Sequence, residues 1–285
     1  MTQTPTCRFV FNFLNYFIKT EKPFMRTFQE KAEIVRTEQL AEDIYRATVR
    51  APDIAQAARP GQFVMIRVSE GLDPLLRRPF SIHQVAAGEL VQVLFKVLGK
   101  GTRLMAGRQP GQIIDLLGPL GHGFSINKVQ QQCLVGGGMG IAPLLFLAEK
   151  MLKECELNAI KVLLGAQTGA EISTVIGDFK SLGITVHAAT EDGSLGHHGL
   201  VTDLLQQLDP DDRCMIYTCG PYPMLKAVAT ESMKNNWDCQ VSLEAFMACG
   251  LAACLGCAVQ RASLDGYVHV CKDGPVFHAE EVAWL

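Results

Sequence analysis

Four cysteines near the C-terminus constrain this 285-residue chain more than any other feature. They follow the spacing C-x4-C-x2-C-x13-C and are Cys249, Cys254, Cys257 and Cys271. Small residues, including Gly250 and Gly256, separate the first three, so the backbone can wrap closely around an inorganic core. A segment of about fifty residues rarely folds by apolar burial alone and usually needs a metal or disulfide staple. The spacing therefore predicts that thiolates hold a metal centre here.

Two kinds of metal centre compete for these four thiolates. Structural zinc usually takes its cysteines as two C-x2-C pairs, and the four cysteines contain one such pair. The leading x4 gap instead matches the plant-type iron–sulfur order. An alternating run before Cys271 predicts a strand that returns this residue to the loop. We therefore expect a [2Fe–2S] cluster, with zinc as the alternative.

The other six cysteines are scattered and lie mostly in apolar stretches, where a free thiol behaves as a small buried hydrophobe. They are Cys7, Cys133, Cys155, Cys214, Cys219 and Cys239. No convincing secretion signal precedes them, so a disulfide framework is disfavoured and a cytoplasmic location is expected. The net charge of −3 argues against a general nucleic-acid binder. No apolar run is long enough to span a bilayer, so no membrane partner is expected.

The first 25 residues differ from the rest of the chain. Residues 9–18 are rich in aromatic side chains but lack both a basic region and a small-residue cleavage site. We interpret residues 1–25 as a disordered extension, or as translation assigned upstream of a true start at Met25. An interfacial anchor is the alternative.

Residues 26–125 are predicted to form a small antiparallel β-barrel. Short runs with alternating apolar residues recur, separated by turn residues such as Pro60-Gly61 and Pro110-Gly111. Closely spaced strands with few helical signals are typical of such barrels. The six predicted strands are 31–36, 44–50, 62–68, 80–84, 90–97 and 113–116.

Residues 126–236 are predicted to form an α/β domain, and residues 237–285 the cysteine-rich module. A strand at 133–135 runs into a glycine-rich turn and a helix, with Pro143 at the first helical position. Strands alternating with helices imply a parallel sheet covered on both faces. The further predicted strands are 160–164, 184–188 and 215–218, and the further predicted helices are 200–208 and 221–235.

Two strand-to-helix turns in this domain are typical of nucleotide binding. Gly138 and Gly140 belong to a G-x-G-x-x-P turn, where the backbone can approach a pyrophosphate at a helix N-terminus. Cys219, Gly220 and Pro221 follow another strand of the same sheet, so both turns project from one edge. A nicotinamide is expected between them, with Cys219 beside it. A tight packing turn is the less favoured alternative for the glycine turn, and simple packing is a serious alternative for Cys219.

The residues after the next two strands bear on the choice between NAD and NADP. Gln167 stands after the strand at 160–164, where no Arg or Lys is present to pair with a 2′-phosphate. The acidic pair Glu191 and Asp192 follows the strand at 184–188, as a ligand contact or as an ordinary polar turn. The absence of a basic residue beside Gln167 mildly favours NAD over NADP.

The barrel half contains a candidate flavin segment. Arg78 stands beside a predicted strand, where a guanidinium can bind a diphosphate through paired hydrogen bonds. The Ser81 hydroxyl can reach an isoalloxazine edge, and Gly101-Thr102 offers backbone amides and a hydroxyl for phosphate. Arginines at a strand edge are more often simply solvated.

The order of these motifs resembles the ferredoxin–NADP reductase superfamily. With the cysteine spacing, residues 26–284 look like the electron-transfer subunit of class 1B, NAD-dependent dihydroorotate dehydrogenase. The resemblance is strongest around Cys249 and in the tail at 273–277. It implies that the four C-terminal cysteines bind the cluster. It also implies FAD contacts at Arg78, Pro79, Phe80, Ser81, Phe95, Lys96, Val97, Gly101 and Thr102.

The resemblance also implies a partner and a route for electrons. Relatives pair with an FMN-containing catalytic subunit, usually as two copies of each. Electrons from dihydroorotate would then pass through FMN, the cluster and FAD to NAD, in pyrimidine biosynthesis. Any base that deprotonates dihydroorotate would belong to the partner, so no catalytic residue is expected in this chain.

Two alternative functions follow from the same motifs. The first is the small subunit of a related NAD(P)H-dependent ferredoxin reductase or sulfhydrogenase. Some of those relatives replace a cluster cysteine with aspartate, whereas all four positions are cysteine here. The second is a zinc-stapled, nucleotide-binding regulator without redox chemistry.

Overall fold

A computed structural model describes residues 26–127, 131–209, 213–262 and 266–284. The interpretations of residues 1–25, and of Cys7 among them, lie outside the described residues. The described part contains a closed barrel, a seven-stranded sheet and a two-stranded hairpin. None of its helices has the length and hydrophobicity needed to cross a bilayer.

The predicted six-stranded antiparallel barrel is confirmed. Its strands close in the order β1-β2-β5-β4-β3-β6. In β1, Ala32 and Ile34 are fully buried while Lys31 and Glu33 face outward, as period-two alternation requires. The strands are β1 (Phe28–Ala41), β2 (Ile44–Arg50), β3 (Phe63–Arg67), β4 (Arg78–Ala86), β5 (Leu90–Lys96) and β6 (Ile113–Leu120).

Two short helices interrupt the barrel, and sequence reasoning does not predict them. Helix α1 (Pro52–Ala57) begins at a proline, and α2 (Lys100–Ala106) follows the extended residue Gly99. Each is shorter than two full turns, so neither shows the apolar periodicity by which helices are recognised.

The predicted parallel sheet is also confirmed. Its order is β10-β9-β8-β7-β11-β12-β15, and every pairing is parallel except that of β15. The strands that run parallel are β7 (Gln131–Gly137), β8 (Ile160–Ala166), β9 (Val186–Thr190), β10 (His197–His198), β11 (Cys214–Cys219) and β12 (Asp238–Ser242). The helices are α3 (Leu144–Met151), α4 (Gly169–Ser181), α5 (Val201–Leu205) and α6 (Tyr222–Lys234).

One helix prediction in this domain is wrong, and one helix is not predicted. Pro143 is not in the first helical position but caps α3, because a 3₁₀ turn (Gly138–Ile141) precedes the helix. Helix α4 is absent from the predicted elements. The signal was available, since Ile172, Val175, Ile176 and Phe179 are buried at helical spacing.

The C-terminal segment is attached to the nucleotide sheet at one edge. Strand β12 begins just after the predicted boundary at residue 236 and pairs in parallel with β11. Strands β13 (Ala258–Gln260) and β14 (Tyr267–His269) form a short hairpin. Strand β15 (Val276–His278) then pairs antiparallel with β12. The cysteine module therefore contains a hairpin and is joined to the edge of the sheet through β12 and β15.

Candidate cofactor sites

The four C-terminal cysteines lie together as two pairs. The Sγ atoms of Cys257 and Cys271 are 3.3 Å apart. The thiols of Cys249 and Cys254 are also within hydrogen-bond reach of each other. The β13–β14 hairpin brings Cys271 back to the loop, as the alternating run before it predicts.

Backbone amides already point at these sulfurs. The N–H groups of Leu251 and Cys254 donate to Cys249 Sγ at 3.3 and 3.5 Å, and that of Ala252 donates to Cys271 Sγ at 3.3 Å. The Leu251 N–H bond is the main reason that the pKa of the Cys249 thiol falls to about 7. Amide donors of this kind stabilise thiolate ligands and tune iron–sulfur centres.

The two pairs differ in exposure. Cys257 and Cys271 are 3% and 6% exposed, whereas Cys254 is exposed and Cys249 half-buried. Burial, reinforced by the neighbouring Cys257, raises the pKa of Cys271 to about 12. Two thiol pairs suit a two-iron cluster better than one tetrahedral zinc ion.

The cysteine loop touches the barrel beside the candidate flavin segment. A methyl group placed on Gly250 would lie 2.6 Å from the Met65 side chain, so the glycine allows close contact. Met65 is fully buried in β3 and pairs with Pro79 of β4. Met65 therefore lies between the cysteine loop and the predicted FAD strand.

Two adjacent arginines in the flavin segment have different surroundings. Arg77 donates to the buried carboxylate of Asp115 at 2.6 Å. Burial opposes ionisation of Asp115, but hydrogen bonds from Arg77 and two neighbouring side chains hold its pKa below the usual value. Arg78 donates to the Leu76 carbonyl and forms no ion pair among the described residues, and it packs against Gly101. Arg78 is therefore the arginine whose charge remains for a diphosphate.

The remaining predicted FAD residues divide between barrel core and strand surface. Phe80 and Phe95 are buried and meet edge to face at 5.4 Å, so they can offer a cofactor little more than their backbone. The Ser81 hydroxyl makes no hydrogen bond within the described residues, and Val97 is half-buried. Thr102 uses its hydroxyl at the start of α2, where it accepts from the backbone N–H of Leu98 and Gly99.

The two predicted nucleotide turns do lie side by side. A methyl group on Gly140 would stand 2.3 Å from both the Cys219 carbonyl oxygen and the Gly220 nitrogen. Cys219 is 1% exposed, and burial raises the pKa of its thiol well above the usual value. Its thiol is thus a packing group at the turn and not a nucleophile. Pro221 is exposed at the start of α6.

A cavity of about 420 Å³ opens at this carboxyl edge of the sheet. Gly138 and Pro221 line one part of it, and Gln167 and Glu191 line another. Lys96 reaches it from the barrel, and its Nζ lies 2.9 Å from Glu171 Oε1. The Lys96 side chain therefore faces the nucleotide cavity. The resemblance implied an FAD contact for this residue and did not indicate this position.

Sequence reasoning missed His83, which joins the barrel to the glycine turn. Its Nδ1 donates to the Ala142 carbonyl at 2.7 Å, and its Nε2 is buried without a partner among the described residues. Burial lowers the pKa of His83 to about 4, so the ring is neutral at pH 7. A polar residue at a buried position of β4 was the available signal, but its partner lies 59 positions away.

Comparison with known proteins matches both halves of this arrangement. The profile of the iron-sulfur cluster binding domain of dihydroorotate dehydrogenase B matches residues 244–283. The profile of the oxidoreductase NAD-binding domain matches residues 134–230. Curated relatives named dihydroorotate dehydrogenase B (NAD(+)), electron transfer subunit, align with this chain over nearly the whole length of each relative. That of Fusobacterium nucleatum is 37% identical, covering 89% of this chain and 98% of the relative, and that of Geobacillus thermodenitrificans is 41% identical with the same coverage.

This chain belongs to that family. A solved structure described as the NADH-dependent reduced ferredoxin-NADP oxidoreductase is also similar, with a TM-score of 0.79, 31% identity and 90% coverage of both chains. A ferredoxin NADP+ reductase from Neisseria gonorrhoeae with bound FAD and NADP shares the fold, at a TM-score of 0.60 and 17% identity, covering 72% of this chain and 91% of that one. The family assignment agrees with an iron–sulfur module that follows a flavin-type barrel and a nucleotide domain.

Proposed function

We propose that this chain is the electron-transfer subunit of an NAD-dependent dihydroorotate dehydrogenase. It works with an FMN-containing catalytic subunit, as two copies of each. The observation that carries the proposal is the contact of Gly250 with Met65, which joins the cysteine loop to the strand paired with the flavin segment. When bound, a [2Fe–2S] cluster passes single electrons and FAD converts them to the hydride that NAD accepts.

The residues that would hold each group are separate. Cys249, Cys254, Cys257 and Cys271 would bind the cluster, with backbone amides supporting the sulfurs. Arg78 and the backbone of β4 and β5 would bind FAD. Gly138, Gly140 and the turn at 219–221 would bind NAD as co-substrate. No residue of this chain needs to move a proton on dihydroorotate, so the chain's task is to position cofactors and exclude water.

The surface around the outer thiol pair supports docking of a partner. Phe246 is fully exposed, and Leu251 and Leu255 are more than half exposed beside Cys254. Apolar side chains grouped in this way are typical of protein–protein contacts. The exposed pair of ligands would then face the partner, while the other pair lies buried within the chain.

Co-purification with the FMN-containing subunit, followed by metal and flavin analysis, tests the proposal. We expect flavin and about two irons per chain, as this cluster type requires. Stoichiometric zinc without flavin would contradict it. A Cys254→Ala variant should lose dihydroorotate-dependent NAD reduction but keep NADH-to-dye activity through FAD. Cys155→Ala, a half-buried cysteine outside the module, should keep both activities.

A second candidate is the small subunit of a related NAD(P)H-dependent ferredoxin oxidoreductase. The 31% identity over 90% of both chains to the NADH-dependent reduced ferredoxin-NADP oxidoreductase structure favours keeping it. The same experiment separates the two. Ferredoxin reduction by the purified complex without activity on dihydroorotate would select this second function.

A further inference from the structure

The order of strands at the cavity predicts how NAD lies in it. Strands β11, β7, β8 and β9 are neighbours, and their carboxyl ends place Cys219, Gly138, Gln167 and Glu191 in a row. Adjacent strands are about 4.8 Å apart, so β11 and β9 are separated by about 14 Å. A dinucleotide laid across this edge therefore meets these positions in sequence.

The two neighbouring turns decide which end of the dinucleotide lies where. The diphosphate favours the glycine turn after β7, and the turn at 219–221, where the nicotinamide is expected, follows the adjacent strand β11. Strands β8 and β9 lie on the opposite side of β7. The adenosine ribose then falls at the ends of β8 and β9.

The charges at this end are unfavourable for a phosphate. Glu191 is exposed and lines the cavity, and its backbone N–H donates to the Ala166 carbonyl at 3.1 Å, which places it beside Gln167. Among the described residues that line the cavity, Lys96 is the only lysine or arginine. Its ammonium group is paired with Glu171. No unpaired cation from the described lining residues therefore stands at the ribose end.

We propose that Glu191 makes this chain selective for NAD(H) over NADP(H). Its carboxylate accepts a hydrogen bond from the adenosine ribose hydroxyls and repels a 2′-phosphate. The inference rests on the nucleotide binding proposed above, and it assigns the discrimination to one side chain. An acidic residue near the ribose is a general means of favouring NAD.

The neighbouring Asp192 supplies a matched control. Its carboxylate accepts hydrogen bonds from the Ser194 backbone N–H and hydroxyl at 3.0 and 2.6 Å. These bonds lower its pKa, and Asp192 is not among the residues that line the cavity. Glu191→Gln and Asp192→Asn change the net charge equally, one residue apart. They therefore separate a specific contact from a general electrostatic effect.

The test uses the full chain with FAD bound and measures equilibrium binding of NAD+, NADP+ and adenosine 2′-monophosphate by calorimetry. Glu191→Gln should tighten NADP+ and adenosine 2′-monophosphate about tenfold, as expected for removing one carboxylate beside a dianion in water. NAD+ should bind severalfold more weakly. The gain should shrink as ionic strength rises. Asp192→Asn should leave the ratio of the two affinities within about twofold.

Two outcomes would overturn the assignment to Glu191. The first is an affinity ratio unchanged in Glu191→Gln while NAD+ still binds the parent chain. The second is an equal change in Asp192→Asn. Failure of the parent chain to bind either dinucleotide would instead remove the proposed function, so the two failures are distinguishable.

Discussion

The glycine turn at 138–143 and the cysteine loop at 249–257 both place backbone amides around a predicted cofactor, but different forces hold them. In the glycine turn, Gly140 is buried against the backbone of Cys219, and Ile141 packs into the core. In the cysteine loop, Leu251 and Leu255 are more than half exposed. The turn is therefore held by packing, whereas the loop depends on bonds to sulfur.

Backbone conformation shows the same contrast. In the turn, the residue with positive φ is a glycine, Gly138 at 52°. In the loop, Ala252 at 62° and Leu255 at 58° adopt that region without being glycine. Non-glycine residues there cost roughly 1–2 kcal/mol each and persist where other interactions hold them. We infer that the nucleotide domain folds without its ligand, whereas the cysteine loop needs its metal.

Loss of an inner cysteine should have the largest effect. We expect Cys257→Ala to remove essentially all iron and to make residues 249–257 sensitive to protease, with flavin content unchanged. The reason is that three thiols cannot complete the ligand set. Iron analysis and limited proteolysis measure both effects. Cys239→Ala, similarly buried at 5% but in β12, should keep its iron. If the Cys257→Ala variant retained two irons, Cys257 would not be a ligand of the cluster.

In the turn, Gly140→Ala should destabilise the nucleotide domain without affecting iron. The added methyl group would stand 2.3 Å from two backbone atoms, which cannot move independently of the sheet. Overpacking usually costs about 1–3 kcal/mol, and rigid neighbours place this change at the upper end. Urea unfolding measures the loss, and NADH should no longer reduce the flavin.

An exposed glycine in α4 provides the control for this change. Gly177 has open space around its Cα, so Gly177→Ala should stabilise the helix by about 0.5–1 kcal/mol. An equal loss of stability in both variants would show that packing at the turn is not what distinguishes Gly140.

Burial of the neutral His83 ring beside Ala142 should make the turn sensitive to acid. The pKa of His83 falls from 6.5 to about 4 on burial, so the unfolded chain binds a proton that the folded chain rejects. Stability is fully present above pH 6.5 and is lost as the pH falls toward 4, by about 3 kcal/mol. His83→Gln should flatten this slope in urea titrations between pH 7 and 5. The exposed His187→Gln should not, and an unchanged slope in His83→Gln would contradict the burial of a neutral ring.

Sequence patterns predicted the architecture well because each element has its own periodicity. The barrel strands alternate, and the order of strands and helices implies the parallel sheet. The alternating run before Cys271 predicts the strand that returns this residue to the loop. Helix α4 was missed although its buried residues, such as Val175 and Phe179, have helical spacing. The helical periodicity of this segment is therefore present in the sequence.

Contacts between modules were beyond sequence reasoning. Nothing in the pattern around His83 indicates Ala142 as its partner, and nothing around Met65 indicates Gly250. The same holds for Lys96, whose partner Glu171 lies in the other domain. These pairs depend on how the barrel docks against the sheet, which is decided by the shapes of both surfaces together. For this reason, the residues that connect the candidate sites are identified by the structure and not by the sequence patterns.

The contact between the loop and the barrel gives the sharpest test of the loop's role. Gly250 has φ of 69°, and a methyl group there would lie 2.6 Å from Cγ of the buried Met65 side chain. Gly250→Ala should therefore cost roughly 1–2 kcal/mol of backbone strain in addition to overpacking against Met65. Gly88, with φ of 72° and open space, should show the same backbone strain without the overpacking when changed to alanine. Both variants should keep iron and flavin, but Gly250→Ala alone should slow reduction of the cluster by NADH in stopped-flow measurements, because Met65 is displaced. Equal rates in the two variants would show that electrons do not depend on this contact, and the loop would then be a separate module that merely lies against the barrel.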